Sequence, residues 1–441
     1  MSVGDVAPIG TRTPWHGPPR SGARLEHRDG GVCAVRGVRA AATIAGLKPS
    51  GAADLALVDA GRVVTAAGVQ TSNQVAAAPV RLTAEHLAAG RARAVLLNAG
   101  SANACTGQAG AAAAETSAAA IADLLGCAPE EILLASTGVI GVPLDVDLLV
   151  GALPTLVGGL SPQGSAAAAD AIRTTDTVAK EAAVEVTDAE GTCVVGGIAK
   201  GSGMINPAMA TMLAVIVTDA DLDAATARTL LGDAVDATFN RTSVDGCMST
   251  NDAVLLLATG RAHTPGRAHT PGSAQTPGSA QTPGSAQTPS PAAVADGLTA
   301  VCGALAERIV RDGEGAGRFV RLTVEGAQDD GEALAVARAV ADSALVRTAV
   351  AGADPNWGRV IGAVGAAPAR IDPDRIAIRF GNVEVCRHGV ARAFDRTAAA
   401  AALVGPDVAL TIDLGLATGS ATLLTCDLTH DYVTINAEYT T

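Results

Sequence analysis

The run Lys200-Gly-Ser-Gly-Met-Ile-Asn-Pro-Ala-Met-Ala-Thr-Met-Leu-Ala-Val-Ile-Val-Thr-Asp219 joins a Gly-rich, Pro-containing loop directly to an apolar stretch, with Thr211 at the junction. A threonine hydroxyl is a poor nucleophile at neutral pH and needs a base beside it. If the Ala210-Thr211 peptide bond is broken, the α-amine of Thr211, with a pKa of about 8, becomes that base without any conformational search. A strained loop ahead of the threonine would favour the N-to-O acyl shift that breaks the bond. Spacing alone favours a β-branched residue that merely opens a strand.

Lysine usage singles out further residues. The chain has three lysines, Lys48, Lys180 and Lys200, and arginine carries nearly all the rest of its positive charge. A lysine kept against such a bias is a candidate for a place that needs a compact ammonium rather than a guanidinium fork. Other motifs are weaker. Gly313-Glu-Gly-Ala-Gly317 imitates a nucleotide loop, but it follows a helical pattern and lacks the GxGxxG spacing. Of seven histidines, only His86, His388 and His430 lie outside the N-terminal region and the repeats, and no GxSxG elbow accompanies them. His430 is the one to watch, because it lies among the C-terminal motifs.

The elements that must position these residues read as helices and strands in alternation. Ala109 to Leu125 and Glu332 to Leu345 are Ala-rich with Leu, Ile or Val and predict helices. Arg375 to Phe380 alternates apolar residues, Gly381-Asn382 turns, and Val383 to Cys386 returns as the second strand of a hairpin. Strands are also expected over Val408 to Leu414, Thr422 to Asp427 and Asp431 to Ala437. Helices mixed with antiparallel hairpins predict an α+β fold, a layered sandwich of mixed sheets and helices. Residues 1–30 read as a disordered extension rich in Pro and Gly, with the fold starting near Gly31. From Arg261 to Ser290 run five hexads, RAHTPG twice and then SAQTPG twice and SAQTPS, none with a bulky apolar residue to bury. They read as a solvated, tolerated insertion.

Composition narrows the class. With 441 residues the chain can bury a sizeable core, and its net charge of -13 argues against a nucleic-acid footprint. No stretch approaches the roughly 20 apolar residues of a membrane span, and the N-terminus lacks the apolar core of a signal peptide. Eight scattered cysteines without a CxxC pair suggest neither zinc nor a redox motif, and read as small apolar residues of a reduced cytoplasm.

The segment GSGMINPAMATMLAVIVTDADL, residues 201–222, resembles the self-cleavage segment of the ornithine acetyltransferase family, the bifunctional glutamate N-acetyltransferases. The likeness continues through residues 97–107, 135–141, 174–177, 239–246, 249–252, 310–315, 352–359 and 427–441. It implies an N-terminal-nucleophile-like architecture and a chain cut into residues 31–210, preceded by the extension, and 211–441, assembled as a heterotetramer. It implies Thr211 as acetyl acceptor and Thr137 and Gly138 as an oxyanion hole. Thr174, Lys200, Thr211, Glu314, Asn436 and Thr441 would bind substrate, with Lys200 suited to an α-carboxylate and Glu314 to an amine. The implied reaction moves an acetyl group from N-acetylornithine to glutamate in a cytoplasmic arginine pathway. No metal or prosthetic group is implied, and acetyl-CoA stands as a possible co-substrate.

Some positions depart from the pattern of that family. Gly317-Arg318 stand where Thr-Lys is usual, Cys247-Met248 where Asp-Thr is common, Ser101 where Asn is usual, and Leu424-Thr425 where Trp-Gly is common. They leave open a paralogue with another acceptor. Two further readings stand beside the transferase. One is a self-processing amidohydrolase or aminopeptidase in which water deacylates the same threonine. The other is an inert relative kept for binding, against which the intact Thr137, Gly138, Lys200 and Thr211 speak.

Overall fold

A computed structural model of the chain describes residues 16–206, 212–262 and 288–438. Nine strands build the first sheet: β1 (Arg24–Arg28), β2 (Arg39–Thr43), β3 (Leu55–Gln70), β4 (Arg91–Ser101), β5 (Ile132–Val139), β6 (Lys180–Thr187), β7 (Thr192–Lys200), β8 (Leu213–Thr218) and β9 (Ala253–Ala258). Their order is β1-β6-β7-β8-β9-β3-β4-β5, with β2 on the flank of β3. Only β8 with β9 and β4 with β5 run parallel; the other neighbours are antiparallel. The second sheet has the order β13-β12-β11-β14-β10-β15. Its strands are β10 (Phe319–Ala327), β11 (Ala377–Phe380), β12 (Val383–Arg387), β13 (Val390–Ala391), β14 (Asp407–Asp413) and β15 (Gly419–Cys426).

Eleven α-helices are present among the described residues: α1 (Ala78–His86), α2 (Gly107–Leu125), α3 (Val146–Gly158), α4 (Ser165–Ala171), α5 (Ala224–Ala237), α6 (Pro291–Arg311), α7 (Asp330–Ala341), α8 (Ala344–Ala351), α9 (Trp357–Gly365), α10 (Arg396–Ala401) and α11 (His430–Glu438). The α+β layering expected from the sequence is therefore the observed architecture.

The central strand β8 shows why the layers form. All six of its residues are buried, so it reads as an unbroken apolar run rather than an alternating one. Ala214 and Ile216 enter the core shared with α5 and α6, whereas Leu213, Val215 and Val217 enter the opposite core, which includes α4. Helix α6 closes the first of these cores. Ser290 caps it by accepting from the amide of Ala293, Pro291 occupies its first turn, and Arg308 and Arg311 sit in its last. Val294, Leu298, Val301, Leu305 and Ile309 form its buried face, each such side chain contributing roughly 1.5–3 kcal/mol when withdrawn from water. The helix ends at Asp312 and so delivers Asp312 and Glu314 to the end of the first sheet.

Three local expectations change. The helix expected over Glu332 to Leu345 is two helices, α7 and α8, because the side chain of Ser343 accepts from the amide of Val346 and starts a new helix. The strand expected over Asp431 to Ala437 is helix α11, where Thr434 bonds back to the carbonyl of His430 and Asn436 to that of Tyr432. Such local bonds outcompete a weak β-propensity when no partner strand is at hand. Ordered structure also begins before Gly31, since Arg24 to Arg28 pair with Ala183 to Thr187 of β6. Residues 1–15 of the expected extension, and residues 263–287 of the hexads, lie outside the described residues.

Four cysteines, Cys193, Cys302, Cys386 and Cys426, are buried as small apolar residues should be, while Cys105 and Cys247 are exposed. No helix among the described residues is long and apolar enough to cross a membrane, and no group of His, Cys, Asp or Glu among them could hold a metal ion.

Candidate active site

Several chain segments converge where β5 and β7 end and β8 begins. Thr137 and Gly138 lie near the end of β5, beside Ala99 and Gly100 of the parallel strand β4. A Cβ at Gly138 would come within 2.4 Å of the Gly100 carbonyl carbon, and its φ of +130° is one that side chains rarely adopt. Only glycine lets the two backbones approach this closely. Thr137 is buried, with 4% of its surface exposed.

Lys200 closes β7 and is buried. Its Nζ donates to Thr174 Oγ1 at 2.8 Å and makes a longer contact of 3.5 Å with Thr137 Oγ1. An ammonium has no lone pair to offer, so each hydroxyl it contacts keeps its own O–H to donate elsewhere. Asp176 Oδ2 lies 3.7 Å from Lys200 Nζ. Asp176 also accepts from the amides of Gly201 at 2.6 Å and Thr174 at 3.1 Å, which fixes the backbone on both sides of the lysine.

Behind Lys200 sits a second lysine. Lys180 is fully buried and donates to Asp176 Oδ1 and Asp312 Oδ2, each at 2.6 Å. Asp312 further accepts from the Thr177 amide at 3.0 Å and from its hydroxyl. Two ammonium groups therefore share two carboxylates with no water required. Burial tends to raise the Asp176 carboxyl, but the charges of Lys200 and Lys180 and the hydrogen bonds outweigh it and hold the group well below the usual carboxylate range. Burial pushes Lys200 down, with Asp176 opposing. Of the three lysines selected by their rarity, none is an ordinary surface residue. Lys48 is half-buried and donates to the carbonyls of Ala53 and Ala171, both at 2.8 Å.

Glu314 follows from the end of α6. Its amide donates to the Ser202 carbonyl at 2.8 Å, and its Oε2 accepts from Asn436 Nδ2 of α11 at 2.8 Å. A Cβ at Gly203 would lie 2.4 Å from the Glu314 carboxyl group, so a glycine there admits the carboxylate to the loop. The start of α11 is tied to the same place, because Thr429 Oγ1 donates to the Gly315 carbonyl at 2.6 Å.

The structure thus brings Thr137, Thr174 and Lys200 into one polar cluster and Glu314 and Asn436 into another. The loop 201–203, whose Gly201 is held by Asp176 and whose Ser202 carbonyl accepts from Glu314, joins the two. Ala210, Thr211 and Thr441 lie outside the described residues.

Sequence reasoning missed a pair of carboxylates that grip the chain on either side of the Thr211 junction. Upstream, Asp245 accepts from the amides of Met204 and Ile205. Met204 has a φ of +56°, a conformation that costs a non-glycine residue roughly 1–2 kcal/mol. Downstream, Asp252 Oδ1 accepts from the amide of Met212 at 2.8 Å. Burial pushes both carboxyls up, and Asp252 well up, with the Met212 amide and the charge of Lys200 opposing at Asp252. Between them, Asn251 Nδ2 donates to the carbonyls of Ala102 and Ser136 at 2.6 and 2.9 Å, tying this segment to the ends of β4 and β5. The blocks 239–246 and 249–252 carried the signal, but without the register of β8 against β9 nothing assigned these residues a task.

The departures noted in the sequence have local accounts. Arg318 donates to the carbonyls of Val350 and Ala351 at the end of α8, away from the cluster. Ser101 accepts from the Asn103 amide at 3.2 Å and donates to the Val142 carbonyl at 3.3 Å. Cys247 is exposed next to Asp245, whose Oδ1 accepts its amide at 3.0 Å. Met248 takes a contact from Ser72 Oγ through its sulfur. Leu424 is fully buried, and Thr425 brings a buried hydroxyl that has no partner.

A family model described as the ArgJ family matches residues 39–441. The arginine biosynthesis bifunctional protein ArgJ of Thermosynechococcus vestitus is 45% identical over 432 residues, 93% of this chain and 98% of that protein. The protein of the same name from Symbiobacterium thermophilum is 45% identical, over 95% of this chain and all of its own length. Among solved structures, ornithine acetyltransferase from Mycobacterium tuberculosis complexed with ornithine is 44% identical, covering 42% of this chain and 98% of that chain, with a TM-score of 0.39.

Proposed function

The chain belongs to the ArgJ family, and from that premise we propose that it is an acetyl-transferring enzyme of arginine biosynthesis that cuts itself between Ala210 and Thr211. In this reading Thr211 then carries the acetyl group from N-acetylornithine to glutamate.

The observation that carries the reading is the placement of Thr137 and Thr174 around the Lys200 ammonium, at the end of the sheet where β8 begins just after Thr211. With Thr211 Oγ attacking the acetyl carbonyl carbon, a C–O bond forms and the α-amine of Thr211 takes the hydroxyl proton. Negative charge gathers on the acetyl oxygen, where the Thr137 hydroxyl and the Gly138 amide donate. The C–N bond then breaks and the proton passes to the departing α-amine of ornithine. Glutamate enters, its amine attacks the acetyl ester, and Thr211 is regenerated. Lys200 suits the α-carboxylate common to both amino acids. Glu314, held by Asn436, suits the side-chain ammonium of ornithine.

The two chains would assemble as a heterotetramer in the cytoplasm, and acetyl-CoA is a further candidate donor. The test is the initial rate of ornithine release from N-acetylornithine with and without glutamate, alongside intact mass under non-reducing denaturing conditions. Two masses that split at residue 210, and release accelerated by glutamate with N-acetylglutamate formed, are expected. Release indifferent to glutamate would mean that water is the acceptor and the enzyme a hydrolase.

A further inference from the structure

Four consecutive residues, Thr174 to Thr177, each bond to a different part of the charged end. The Thr174 hydroxyl accepts from Lys200 Nζ at 2.8 Å. Thr175 Oγ1 shares a hydrogen bond of 2.7 Å with Ser202 Oγ, and the carbonyl of that same Ser202 accepts from the Glu314 amide at 2.8 Å. Asp176 accepts from the Gly201 amide and from Lys180 Nζ, both at 2.6 Å. Thr177 donates its amide, at 3.0 Å, and its hydroxyl to Asp312. One short segment therefore touches Lys200 at one end and, through Asp312, the turn that carries Glu314 at the other.

Lys180 closes the ring by bridging Asp176 and Asp312, and all three side chains are buried. A fold that needed only stability would not require this, because apolar residues of similar volume often serve as well as a buried ion pair or better. What the bridge does provide is a fixed distance. Without the ammonium the two carboxylates face each other and repel. Asp176 is also held by Lys200 and by the amides of Thr174 and Gly201, so Asp312 is the partner that gives way, and Glu314 lies two residues further along the chain. Burial pushes Lys200 down, and Asp176 and Glu314 are among the charges that oppose it, so Glu314 lies within electrostatic reach of the lysine.

We infer, on the assignment of Lys200 to the α-carboxylate and Glu314 to the side-chain ammonium proposed for this site, that Lys180, Asp312 and Thr177 are positioning residues that fix the span between Lys200 and Glu314 and so select the acetyl donor by chain length. An N-acetylated diamino acid fits only if the methylenes between its α-carbon and its terminal ammonium match that span. One fewer leaves the ammonium short of Glu314, and one more crowds it. A built site commonly discriminates a single methylene by roughly 10–200-fold. Glutamate carries no such ammonium, so its capture does not depend on the span.

The inference is tested by comparing kcat/KM, in the protein as purified and with glutamate as acceptor, for N-acetylornithine, for Nα-acetyldiaminobutyrate with one methylene fewer and for Nα-acetyllysine with one more. The ratio between donors does not depend on how much of a sample is folded, so a purely structural defect leaves it unmoved. The unaltered enzyme should favour N-acetylornithine over both by at least roughly tenfold. Asp312→Asn keeps the shape but takes the charge from the Lys180 bridge, and is expected to lose most of that preference. Thr177→Val should lose part of it, and in both variants KM for glutamate should change little. Leu322→Ala, in the core of the second sheet, should lower stability and keep the preference. Preference kept in Asp312→Asn, or lost equally in Leu322→Ala, overturns the inference. If Asp312→Asn yields no active enzyme, Thr177→Val decides: an unchanged preference overturns the inference, as does abolished turnover in a folded chain, which would place the segment in the chemistry itself. An unaltered enzyme indifferent to donor length overturns it too, leaving acetyl transfer standing. One that releases nothing from any of the three donors would instead sink the acetyl-transfer reading.

Discussion

The two sheets of the molecule use charge in opposite ways. At the end of the first sheet, Asp176, Lys180, Lys200 and Asp252 are withdrawn from water, together with Asp312 from the end of α6. In the second sheet the ion pairs lie at the surface: Arg379 meets Glu325 at 2.6 Å with about two-fifths of each side chain exposed, and Arg375 meets Asp372 with still more. Its interior, from Val320 and Leu322 through Ile378 and Phe380 to Leu423, is mostly apolar, with Arg347 of α8 and Thr425 also buried there. Exposed pairs contribute little to stability, and buried pairs are costly to assemble and costlier to break. A fold that needed only stability would therefore resemble the second sheet. Concentrating buried charge at one end of the first is what a site requires.

The largest effect should come from the proposed nucleophile. Thr211→Ala is expected to give a folded, uncut chain with no measurable acetyl transfer, because both the N-to-O shift and acetyl capture need a side-chain nucleophile. Gel analysis beside initial rates checks this, and normal turnover in that variant would sink the mechanism.

Breaking the buried pairs comes next. Lys180→Met fills similar volume but leaves Asp176 and Asp312 without their shared cation, and should cost about 3–5 kcal/mol in unfolding free energy. Arg379→Ala in the second sheet should stay within about 0.5 kcal/mol. Equal losses in urea titrations of the two variants would erase the contrast between the sheets. The acid limb sharpens the same point. The Asp176 carboxyl is held below its unfolded value, so its contribution is present above the ordinary carboxylate range and is lost as the pH falls through and below that range. Without Lys180 that depression shrinks, and acid unfolding of the variant should begin at higher pH.

Much of this charged end was legible in the sequence, through two signals of different kinds. The scarcity of lysine marked Lys180 and Lys200 before any contact was known, because a composition that avoids lysine keeps it where a guanidinium will not fit. The resemblance of residues 201–222 to a self-cleavage segment marked the Thr211 junction, which the Gly-rich run alone did not, and β8 follows it as the apolar run predicted. What stayed hidden depends on long-range register. Nothing within Ser249 to Asp252 says that its last residue will face Met212, since that follows from β8 lying parallel to β9. Likewise the segment Asp431 to Ala437 has strand-forming residues but no neighbour to pair with, and becomes helix α11. The hairpin at Gly381-Asn382 was readable because its determinants are adjacent.

Thr137→Ala isolates one polar group within the charged end. The hydroxyl is in contact with Lys200, and in the proposed mechanism it offers its own proton to the position where charge develops. Its removal should lower kcat by about 10²–10³-fold with KM changed much less, the signature of a contact made chiefly in the transition state. A rise in KM at constant kcat would assign Thr137 to substrate binding and place the oxyanion donors elsewhere.

The smallest effect should come from removing the hexad repeats, and the structure explains why the cut must be narrower than the repeat. Ala262 is buried and its amide donates to the Asp219 carbonyl at 2.7 Å, while Thr288 Oγ1 accepts from the Asp221 amide at 3.1 Å. Ala262 and Thr288, which flank residues 263–287, are thus anchored close together on one turn after β8. Ser290 must also stay, since it caps α6 and bonds to Asp188 at 2.8 Å. Replacing residues 263–287 with a linker of about five Gly and Ser residues removes only closure entropy, which should stabilise the fold by roughly 1 kcal/mol. Self-cleavage and turnover should be unchanged, because the anchors and the α6 cap that lead to Asp312 and Glu314 are intact. Deleting Thr288 to Ser290 as well should cost about 1 kcal/mol through the lost cap. A loss of turnover in the shorter, still-folded deletion would show that the repeats act on the site.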